Sequence, residues 1–458
     1  MTARAGFRLP HPILLLLGGI VLATALTWLL PAGEFERRDD PVTGRRLVVA
    51  GTYHRVEPAP VGLMGTLLAV PRGLVEGADV VVTILLVGGA FALVERLGVL
   101  ARGAGAITRR ARGRGAPALV LVALVFATFG ALENMQEEII ALVPVLLVLG
   151  RGLGFDPLSM VAASFGAAAI GSAFGPTNPF QAGIALQLAE LPLLSGAGLR
   201  LVLLAVALAA WLAWTLRHAA AHRARTAGDS PAADAAAGAE AADAEPLTAR
   251  DAVILLLLAV PILVYVVGVL RLDWGFDQLS ALFFVAAIAI GLVSRLSASA
   301  TMTAYVESMQ PMVGAALLVG VARGISVVLA DGRVIDTIVQ GLAAPLAGRP
   351  AALAAVLMVP IHALLHLPVP SVSGQAALTL PILVPLSDLL GLPRQATVLA
   401  YQTGAGLSEL LIPTNAALMA ILLAAGVPYG RWLAFAVRGW ALVVLVGLAG
   451  TIAAAISR

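Results

Sequence analysis

Long runs of apolar residues, separated by short polar segments, extend along the whole chain. Most are near the ~20 residues that a helix needs to cross the hydrocarbon core of a membrane. The runs occupy 12–30, 80–97, 116–129, 139–150, 158–190, 199–216, 252–270, 279–294, 312–330, 352–367, 376–390, 396–425 and 432–456. The pattern therefore predicts an all-α polytopic membrane protein.

Composition agrees with this pattern and excludes several classes of function. Of 458 residues, 60% are apolar and 12% are charged, whereas soluble domains have ~45–50% and ~25%. The net charge of +3 is small and scattered, so nucleic acid is not an expected partner. The chain contains neither cysteine nor lysine, which excludes disulfides, thiol chemistry and a P-loop. We expect no cofactor and no enzymatic activity.

Clusters of arginine indicate which loops lie in the cytoplasm. They follow the second apolar run and the run that ends at 216, and comprise Arg102, Arg109, Arg110, Arg112, Arg114, Arg217, Arg223 and Arg225. Because such loops are retained inside, we expect a bacterial inner-membrane protein with a cytoplasmic N-terminus and an external C-terminus. The first run follows Arg4 and Arg8 and would also suit a signal peptide, but the many later runs favour a span.

Two polar segments interrupt the apolar pattern for longer stretches. Residues 31–78 are mixed in charge and are expected to form an external loop, with an interfacial helix at 63–75. Residues 218–250 are rich in Ala, Gly, Ser and acidic side chains and cannot bury a core, so they predict a flexible cytoplasmic linker. The linker divides the chain into membrane halves at 1–217 and 251–458.

The two halves repeat unusual features at a constant offset of 237 residues. Pro144 matches Pro381, Gly154 matches Gly391, and the tripeptide at 176–178 matches the one at 413–415. Arginine is dense in the loop at 101–115 and sparse in its counterpart at 331–350, so the halves should have opposite orientations. An inverted repeat of this kind is common in transporters.

Each half contains a polar turn that would be costly against lipid. The first lies at 133–138, between the runs of 116–150, and the second at 368–375, within 352–390. We therefore predict two re-entrant helical hairpins, which leaves about nine full spans. Tight packing of a Gly/Ser turn is the alternative explanation for the second tip.

The sequence Pro-Thr-Asn interrupts a long apolar run in each half, at 158–190 and at 396–425. Proline breaks the helix, and freed backbone groups at membrane depth require a protein-lined or water-filled cavity. We expect these broken helices and the second hairpin tip to bind substrate, with Na⁺ as a possible ligand near Asn178 and Asn415. The predicted substrate-binding residues are Thr177, Asn178, Ser371, Ser373, Gly374, Gln375, Thr414 and Asn415. A plain proline kink with a capping asparagine is the structural alternative.

Charged residues inside apolar runs are candidates for coupling ions or protons. Glu137 and Glu138 lie at the first hairpin tip, and Glu409 lies in the second broken run. Membrane carboxylates face cavities, pair with cations or take up protons, although a tip in the headgroup layer would also tolerate them. Arg323 could pair with Glu409 or Asp331, or bind a carboxylate. His362 and His366 share a helical face without the Glu of a zinc peptidase motif, so we expect hydrogen-bonded core residues.

Motifs spread over nearly the whole chain resemble the anaerobic C4-dicarboxylate carrier family, particularly its YfcC-like branch. They are Pro31-Ala32-Gly33-Glu34-Phe35, Gly51-Thr52-Tyr53, Ala78-Asp79-Val80-Val81, Gly88-Gly89-Ala90-Phe91, Glu137-Glu138, Asn178-Pro179-Phe180, Ser373-Gly374-Gln375-Ala376-Ala377, Pro413-Thr414 and Val427-Pro428-Tyr429-Gly430. The resemblance implies an inverted-repeat elevator carrier of the ion-transporter superfamily, often a homodimer, with two hairpins enclosing the substrate. The chain departs from the family pattern before the second break. The family has an acidic residue at the position of Ala405, whereas this chain has its acidic residue four positions later, at Glu409.

The expected function is secondary transport of a small organic anion such as a C4-dicarboxylate, driven by Na⁺ or H⁺ or by exchange. Amino acids, including basic ones, are the alternative substrate, because the three glutamates could bind an ammonium or guanidinium group. An intramembrane enzyme would need a nucleophile or metal set that the sequence lacks, and opposed hairpins favour occlusion over a channel. The expected partners are the lipid bilayer, the small molecule and a second copy of the chain.

Overall fold

A computed structural model describes residues 12–39, 46–100, 102–103, 106, 115–229, 246–272, 274–346 and 348–456. Within these ranges, eight helical segments are long and apolar enough to cross a membrane. The protein is therefore a multi-pass, predominantly helical membrane protein, as the apolar runs predict. The count of nine full spans stays a prediction.

The first half begins with helix α1 (Pro12–Leu29) and two small sheets in the polar segment. Strand β1 (Gly33–Glu34) pairs with β4 (His54–Arg55), and β2 (Arg37–Asp39) pairs with β3 (Arg46–Val48), both antiparallel. The hydrophobic pattern did not predict these strands. The helix expected at 63–75 is present as α2 (Leu63–Glu76), and it is followed at once by α3 (Ala78–Arg96).

The first hairpin and broken helix follow the predicted order. Helices α4 (Gly115–Glu133) and α5 (Glu138–Gly152) form hairpin 1. The first broken helix comprises α6 (Pro157–Val161), a π-helical turn (Ala162–Gly166), α7 (Ala167–Phe174), a second π turn (Pro179–Gly183) and α8 (Ile184–Leu188). Its interruption at 175–178 contains the first Pro-Thr-Asn. Helix α9 (Ala197–Asp229) closes the half.

The second half repeats this order with two further helices among the described residues, one before and one after the three that match α1–α3. It contains α10 (Ala249–Leu272), α11 (Phe276–Val293), α12 (Ala298–Met309), a 3₁₀ turn (Gln310–Met312), α13 (Val313–Asp331), α14 (Ile335–Ala343) and a 3₁₀ turn (Ala344–Leu346). Hairpin 2 is α15 (Ala351–His366) and α16 (Val372–Leu389). The second broken helix is α17 (Arg394–Tyr401), a π turn (Gln402–Gly406) and α18 (Ala416–Ala424), followed by α19 (Tyr429–Ile456).

Reciprocal packing supports the repeat seen in the sequence. Helix α2 packs against α13, just as α12 packs against α3. Likewise α1 packs against α13, and α11 packs against α3. The returning arm of each hairpin contacts the second part of the other half's broken helix: α5 contacts α18, and α16 contacts α8. The hairpin of each half therefore packs against the broken helix of the other half.

Glycines allow the hairpins to lie close to the broken helices. A Cβ atom at Gly171 would collide with the Ala127 carbonyl oxygen of hairpin 1. A Cβ atom at Gly404 would collide with the Val359 carbonyl oxygen of hairpin 2. Small residues at such crossings let helix backbones approach within a membrane, where lipid gives no hydrophobic driving force. Each hairpin and its broken helix thus form one closely packed unit.

The predicted linker differs from the structure at its start. Helix α9 continues through residues 218–229, which were expected to be flexible. The rest of the segment, 230–245, and most of the arginine-rich loop at 107–114 lie outside the described residues. The linker and the two domain halves at 1–217 and 251–458 stay predictions.

An ion pair joins the two halves beside the linker. The Arg102 guanidinium donates to both carboxylate oxygens of Asp251, at 2.8 and 3.0 Å, and Thr248 donates two further hydrogen bonds. These hydrogen bonds, with that of Arg102 foremost, hold the pKa of Asp251 well below its ordinary value. A lowered carboxylate pKa stabilises the folded state above the unfolded value of ~3.9, and the benefit disappears as the pH falls below it.

We expect Asp251→Asn to lower the unfolding midpoint in detergent at pH 7, because the variant loses charge-assisted hydrogen bonds worth about 2 kcal/mol. The difference from the wild type should shrink between pH 5 and pH 3, and thermal scans at each pH will measure it. Asp277→Asn is the control, since Asp277 is an exposed acid in the first turn of α11. Equal effects of the two substitutions would contradict the assignment.

Candidate functional site

A cavity of about 270 Å³ lies where the two hairpin tips meet. Its lining comes from hairpin 1, the start of the π turn after the first break, the α10–α11 connection, α13, hairpin 2 and the second break. The lining residues are Asn134, Glu137, Glu138, Phe180, Tyr265, Trp274, Gly275, Phe276, Arg323, Pro370, Ser371, Val372, Ser373 and Glu409. A smaller space of about 50 Å³ adjoins it and adds Gln136, Thr414 and Asn415. The volume is on the scale of a small-metabolite site.

The tip of hairpin 1 carries the two glutamates into this cavity. Asn134 adopts a left-handed backbone with φ of 56°, which asparagine tolerates better than most residues, and so reverses the chain. Its side-chain oxygen accepts a hydrogen bond from Gln181 Nε2 at 3.1 Å, which ties the tip to the first broken helix. Glu137 is half-buried and Glu138 is buried. Both predicted coupling residues therefore line the cavity.

The first break holds hairpin 1 and does not face the cavity. Asn178 is fully buried, and its oxygen accepts hydrogen bonds from the backbone of Phe180 and Gln181 at 2.9 and 2.8 Å. Its amide donates to the Gly130 carbonyl at 2.8 Å, and the Thr177 hydroxyl donates to the Ala131 carbonyl at 3.2 Å. Neither side chain lines either cavity. The capping role that the sequence left open for Asn178 is the one the geometry supports.

We expect Asn178→Ala to destabilise the protein by about 2–3 kcal/mol, because it removes a helix cap and leaves the Gly130 carbonyl without this donor. The measurement is the unfolding midpoint in detergent, with Thr177→Val as the control that removes one exposed hydrogen bond. Wild-type stability combined with lost transport would instead indicate that Asn178 contacts substrate.

The second break is shaped differently and opens into the smaller space. The helix ends at Ser408, so Glu409 lies within the break itself. The Asn415 oxygen accepts a hydrogen bond from the Leu418 backbone at 3.1 Å, while Thr414 Oγ1 is buried with no hydrogen-bond partner. The side-chain oxygens of Asn178 and Asn415 both accept backbone hydrogen bonds. The predicted Na⁺ site near Asn178 and Asn415 stays a prediction.

Of the four predicted binding residues at the tip of hairpin 2, two line the cavity and two do not. Ser371 and Ser373 line the cavity, and the Ser371 hydroxyl caps α16 by accepting a hydrogen bond from the Gly374 backbone at 3.2 Å. Gly374 and Gln375 do not line either cavity. Gln375 is buried, and its side chain points into the hairpin. The adaptable turn expected from the sequence therefore offers two hydroxyl groups to a ligand.

Gln375 connects the two histidines of hairpin 2 to Glu409. Its oxygen lies 2.7 Å from His366 Nδ1, and its nitrogen lies 3.2 Å from His362 Nδ1. Both imidazoles are fully buried, and His366 Nε2 lies 3.7 Å from a Glu409 carboxylate oxygen. Gln136 of hairpin 1 donates a hydrogen bond to the other Glu409 oxygen. One line of polar groups thus runs from hairpin 1 through the second break into hairpin 2.

Arg323 is the cationic side chain that faces the cavity from α13. It is exposed toward this space and has no ion pair within the described part of the chain. The sequence offered Asp331 as a partner, but the Asp331 carboxylate binds Arg72 instead, at 3.0 Å from Nη2. Arg323 is therefore available to a carboxylate group of a ligand.

Acidic and aromatic side chains predominate in the lining of the cavity. Three carboxylates, those of Glu137, Glu138 and Glu409, face one guanidinium. Four aromatic residues, Phe180, Tyr265, Trp274 and Phe276, complete the wall. Carboxylates attract ammonium and guanidinium groups, and aromatic faces bind such cations as well. The sequence did not reveal this aromatic wall, because its members come from three separate segments.

Two bacterial proteins are similar in sequence to this chain over most of its length. A protein of Escherichia coli strain K12, described as a putative basic amino acid antiporter YfcC, is 30% identical over 470 residues, covering 93% of this chain and 92% of that protein. An uncharacterized protein of Haemophilus influenzae is 28% identical over 500 residues, covering 96% of each.

Two solved transporter structures also resemble the chain. The YdaH transporter of Alcanivorax borkumensis aligns with a TM-score of 0.43 and 19% identity, covering 97% of this chain and 98% of that one. MtrF of Neisseria gonorrhoeae, from a class of antimetabolite efflux pumps, aligns with a TM-score of 0.45 and 18% identity, covering 98% and 95%.

The sequence model of one family covers almost the entire chain. Residues 9–456 match the family described as the C4-dicarboxylate anaerobic carrier. This match confirms the resemblance drawn from the short motifs. The chain belongs to the C4-dicarboxylate anaerobic carrier family.

Proposed function

We propose that the protein is a secondary transporter of a basic amino acid, coupled to protons. The observation that carries this proposal is the cavity lined by three glutamates and one arginine. A basic amino acid has one carboxylate for Arg323 and two cationic groups for the glutamates. The description of the Escherichia coli relative as a putative basic amino acid antiporter supports the same substrate class.

A C4-dicarboxylate is the second candidate, because it is the substrate named for the family. Its two carboxylates would meet Arg323 and the two hydroxyls of hairpin 2, but they would also face the three glutamates. Like charges within a low-dielectric site repel strongly, so this ligand would require several of the glutamates to be protonated. The charge balance therefore favours the amino acid.

The groups around Glu409 support proton coupling. Its carboxylate lies between Gln136 and His366, and Glu137 and Arg323 line the same space. A carboxylate near an imidazole at membrane depth can exchange a proton with it, as in the relays of pumps and transporters. We assign Glu409 as the proton carrier and His366 as its partner.

Alternating access would move the hairpins and broken helices as one unit against α2, α3, α12 and α13. Their close packing to each other, at Gly171 and Gly404, supports such a unit. The arginine-rich loops support opposite orientations for the two halves, a cytoplasmic N-terminus and an inner-membrane location. An elevator motion and a homodimer are expectations from the family resemblance.

Proteoliposome uptake tests the proposal directly. Labelled arginine and labelled succinate are offered with a pH gradient, with a Na⁺ gradient, or with the unlabelled compound inside. We expect arginine to accumulate with the pH gradient or to exchange, and not to respond to Na⁺. Accumulation of succinate alone would identify the dicarboxylate candidate, and uptake that only equilibrates would indicate a channel.

A further inference from the structure

A second cavity, of about 580 Å³, lies between α9 and α19, away from the transport site. These two helices pack antiparallel, with Leu203 beside Gly450 and Trp214 beside Gly439. The cavity lies at the end of α9 that leads toward the linker and at the beginning of α19. None of its lining residues lines the cavity between the hairpin tips.

The cavity is strongly basic. Arg217, Arg431 and Arg438 line it, and none of its described lining residues is acidic. Arg431 is already neutralised, because its guanidinium lies 3.3 Å from the Asp156 carboxylate. Burial disfavours the ionised form of Asp156, but contacts with His218 and Ser159 outweigh burial and lower its pKa to about 2. Asp156 is therefore a charged partner at neutral pH.

The other two arginines lack such a partner. Arg217 and Arg438 are exposed to this space and make no ion pair or hydrogen bond with any described residue. Two unpaired guanidiniums on facing helices present a matched set of donors to an anion. Phosphate fits such donors well, because arginine binds its oxygens in a bidentate geometry.

The rest of the cavity lining indicates what kind of molecule carries this anionic group. Leu158, Trp214 and Phe435 form an apolar side beside the arginines, and the Trp214 indole donates to the Phe435 carbonyl at 3.1 Å. Tryptophan is enriched at the level of the lipid headgroups. Deeper along the same helices, the exposed residues are aliphatic: Leu201, Val202 and Val206 on α9, and Leu442 and Leu445 on α19. A ligand with a phosphate and hydrocarbon chains would satisfy both parts.

We propose that the groove between α9 and α19 binds an anionic phospholipid, with its phosphate held by Arg217 and Arg438. Basic pockets between helices on the cytoplasmic side are suited to such headgroups, because that leaflet carries anionic lipid. The same guanidiniums could bind free phosphate, but the apolar wall would then have no ligand to cover it. The site does not depend on which substrate the transporter carries.

The full-length protein, purified in detergent and stripped of lipid, provides the test. Thermal unfolding is followed during titration with cardiolipin, phosphatidylglycerol, phosphatidylcholine or inorganic phosphate, and bound lipid is counted by native mass spectrometry. We expect the two anionic lipids to raise the midpoint and to remain bound. Phosphatidylcholine and inorganic phosphate should do neither.

Removing the arginines should abolish this response. The double variant R217Q/R438Q is expected to weaken anionic-lipid binding by about 30-fold, and each single variant by about fivefold. R271Q is the matched control, because Arg271 lies in the last turn of α10, away from the groove. The single variants keep the test valid if the double variant is unstable.

Three results would overturn the proposal. One is an equal response to inorganic phosphate, which would assign a soluble anion to the site. Another is lipid binding by R217Q and R438Q that equals that of R271Q. The third is equal binding of phosphatidylcholine and cardiolipin by the wild type.

Discussion

Replacing Glu409 with Gln is expected to reduce proton-driven accumulation of substrate by at least 100-fold. The amide has nearly the same shape and can still contact Gln136, but it cannot take up or release a proton. Because His366 Nε2 is 3.7 Å from the carboxylate, the imidazole loses its acidic partner as well. Exchange of internal for external substrate needs no net proton movement, so it should survive in the variant.

Measuring accumulation and exchange in the same proteoliposomes separates coupling from binding. Glu307→Gln is the control, since Glu307 pairs with Arg96 at the exposed end of α3, outside the cavity. His366→Gln should also reduce proton-driven accumulation, because Glu409 would keep its carboxyl group but lose the neighbouring imidazole. Undiminished accumulation by Glu409→Gln under a pH gradient would remove Glu409 from the coupling path.

The sequence predicted the parts of the site that depend on local chemistry. Proline at 176 and 413 breaks the helical hydrogen-bond pattern whatever surrounds it, so both interruptions could be located. The polar tips are similarly local, because the six residues at 133–138 include three glutamates and are costly against lipid in any fold. The structure brings Glu137, Glu138, Ser371 and Ser373 to one cavity, and their roles in binding and coupling stay predictions.

The side-chain partners depend on tertiary geometry and could not be predicted in this way. Nothing adjacent in sequence indicates that Asn178 reaches Gly130, 48 residues away, or that Gln136 reaches Glu409, 273 residues away. Gln375 looked like a ligand because it follows a Gly/Ser turn, but its position one turn into α16 directs it to the histidines of α15. The i, i+4 spacing of His362 and His366 was visible, but their hydrogen bonds with Gln375 and the contact of His366 with Glu409 were not.

Substituting Arg323 with Gln is expected to raise the KM for arginine about 100-fold, with a smaller effect on the maximal rate. The guanidinium faces the cavity without an ion pair among the described residues, so its loss removes the proposed partner of the substrate carboxylate. Truncating one partner of a close charge pair costs ~2–5 kcal/mol, and 100-fold corresponds to about 2.8 kcal/mol. Arg323→Lys should have an intermediate effect, because lysine keeps the charge but loses the bidentate geometry.

Agmatine, which is arginine without its carboxylate, distinguishes this role from a structural one. If Arg323 binds the substrate carboxylate, agmatine should bind the wild type and Arg323→Gln equally well in competition assays. Agmatine has no carboxylate, so it makes no contact that the substitution could remove. The wild type should bind arginine more tightly than agmatine. This difference in affinity should disappear in Arg323→Gln, as in a double-mutant cycle. Arg96→Gln serves as the control, since Arg96 lies outside the cavity and pairs with Glu307. Parallel losses for arginine and agmatine would show that Arg323 acts on the shape or charge of the cavity and not on the substrate carboxylate.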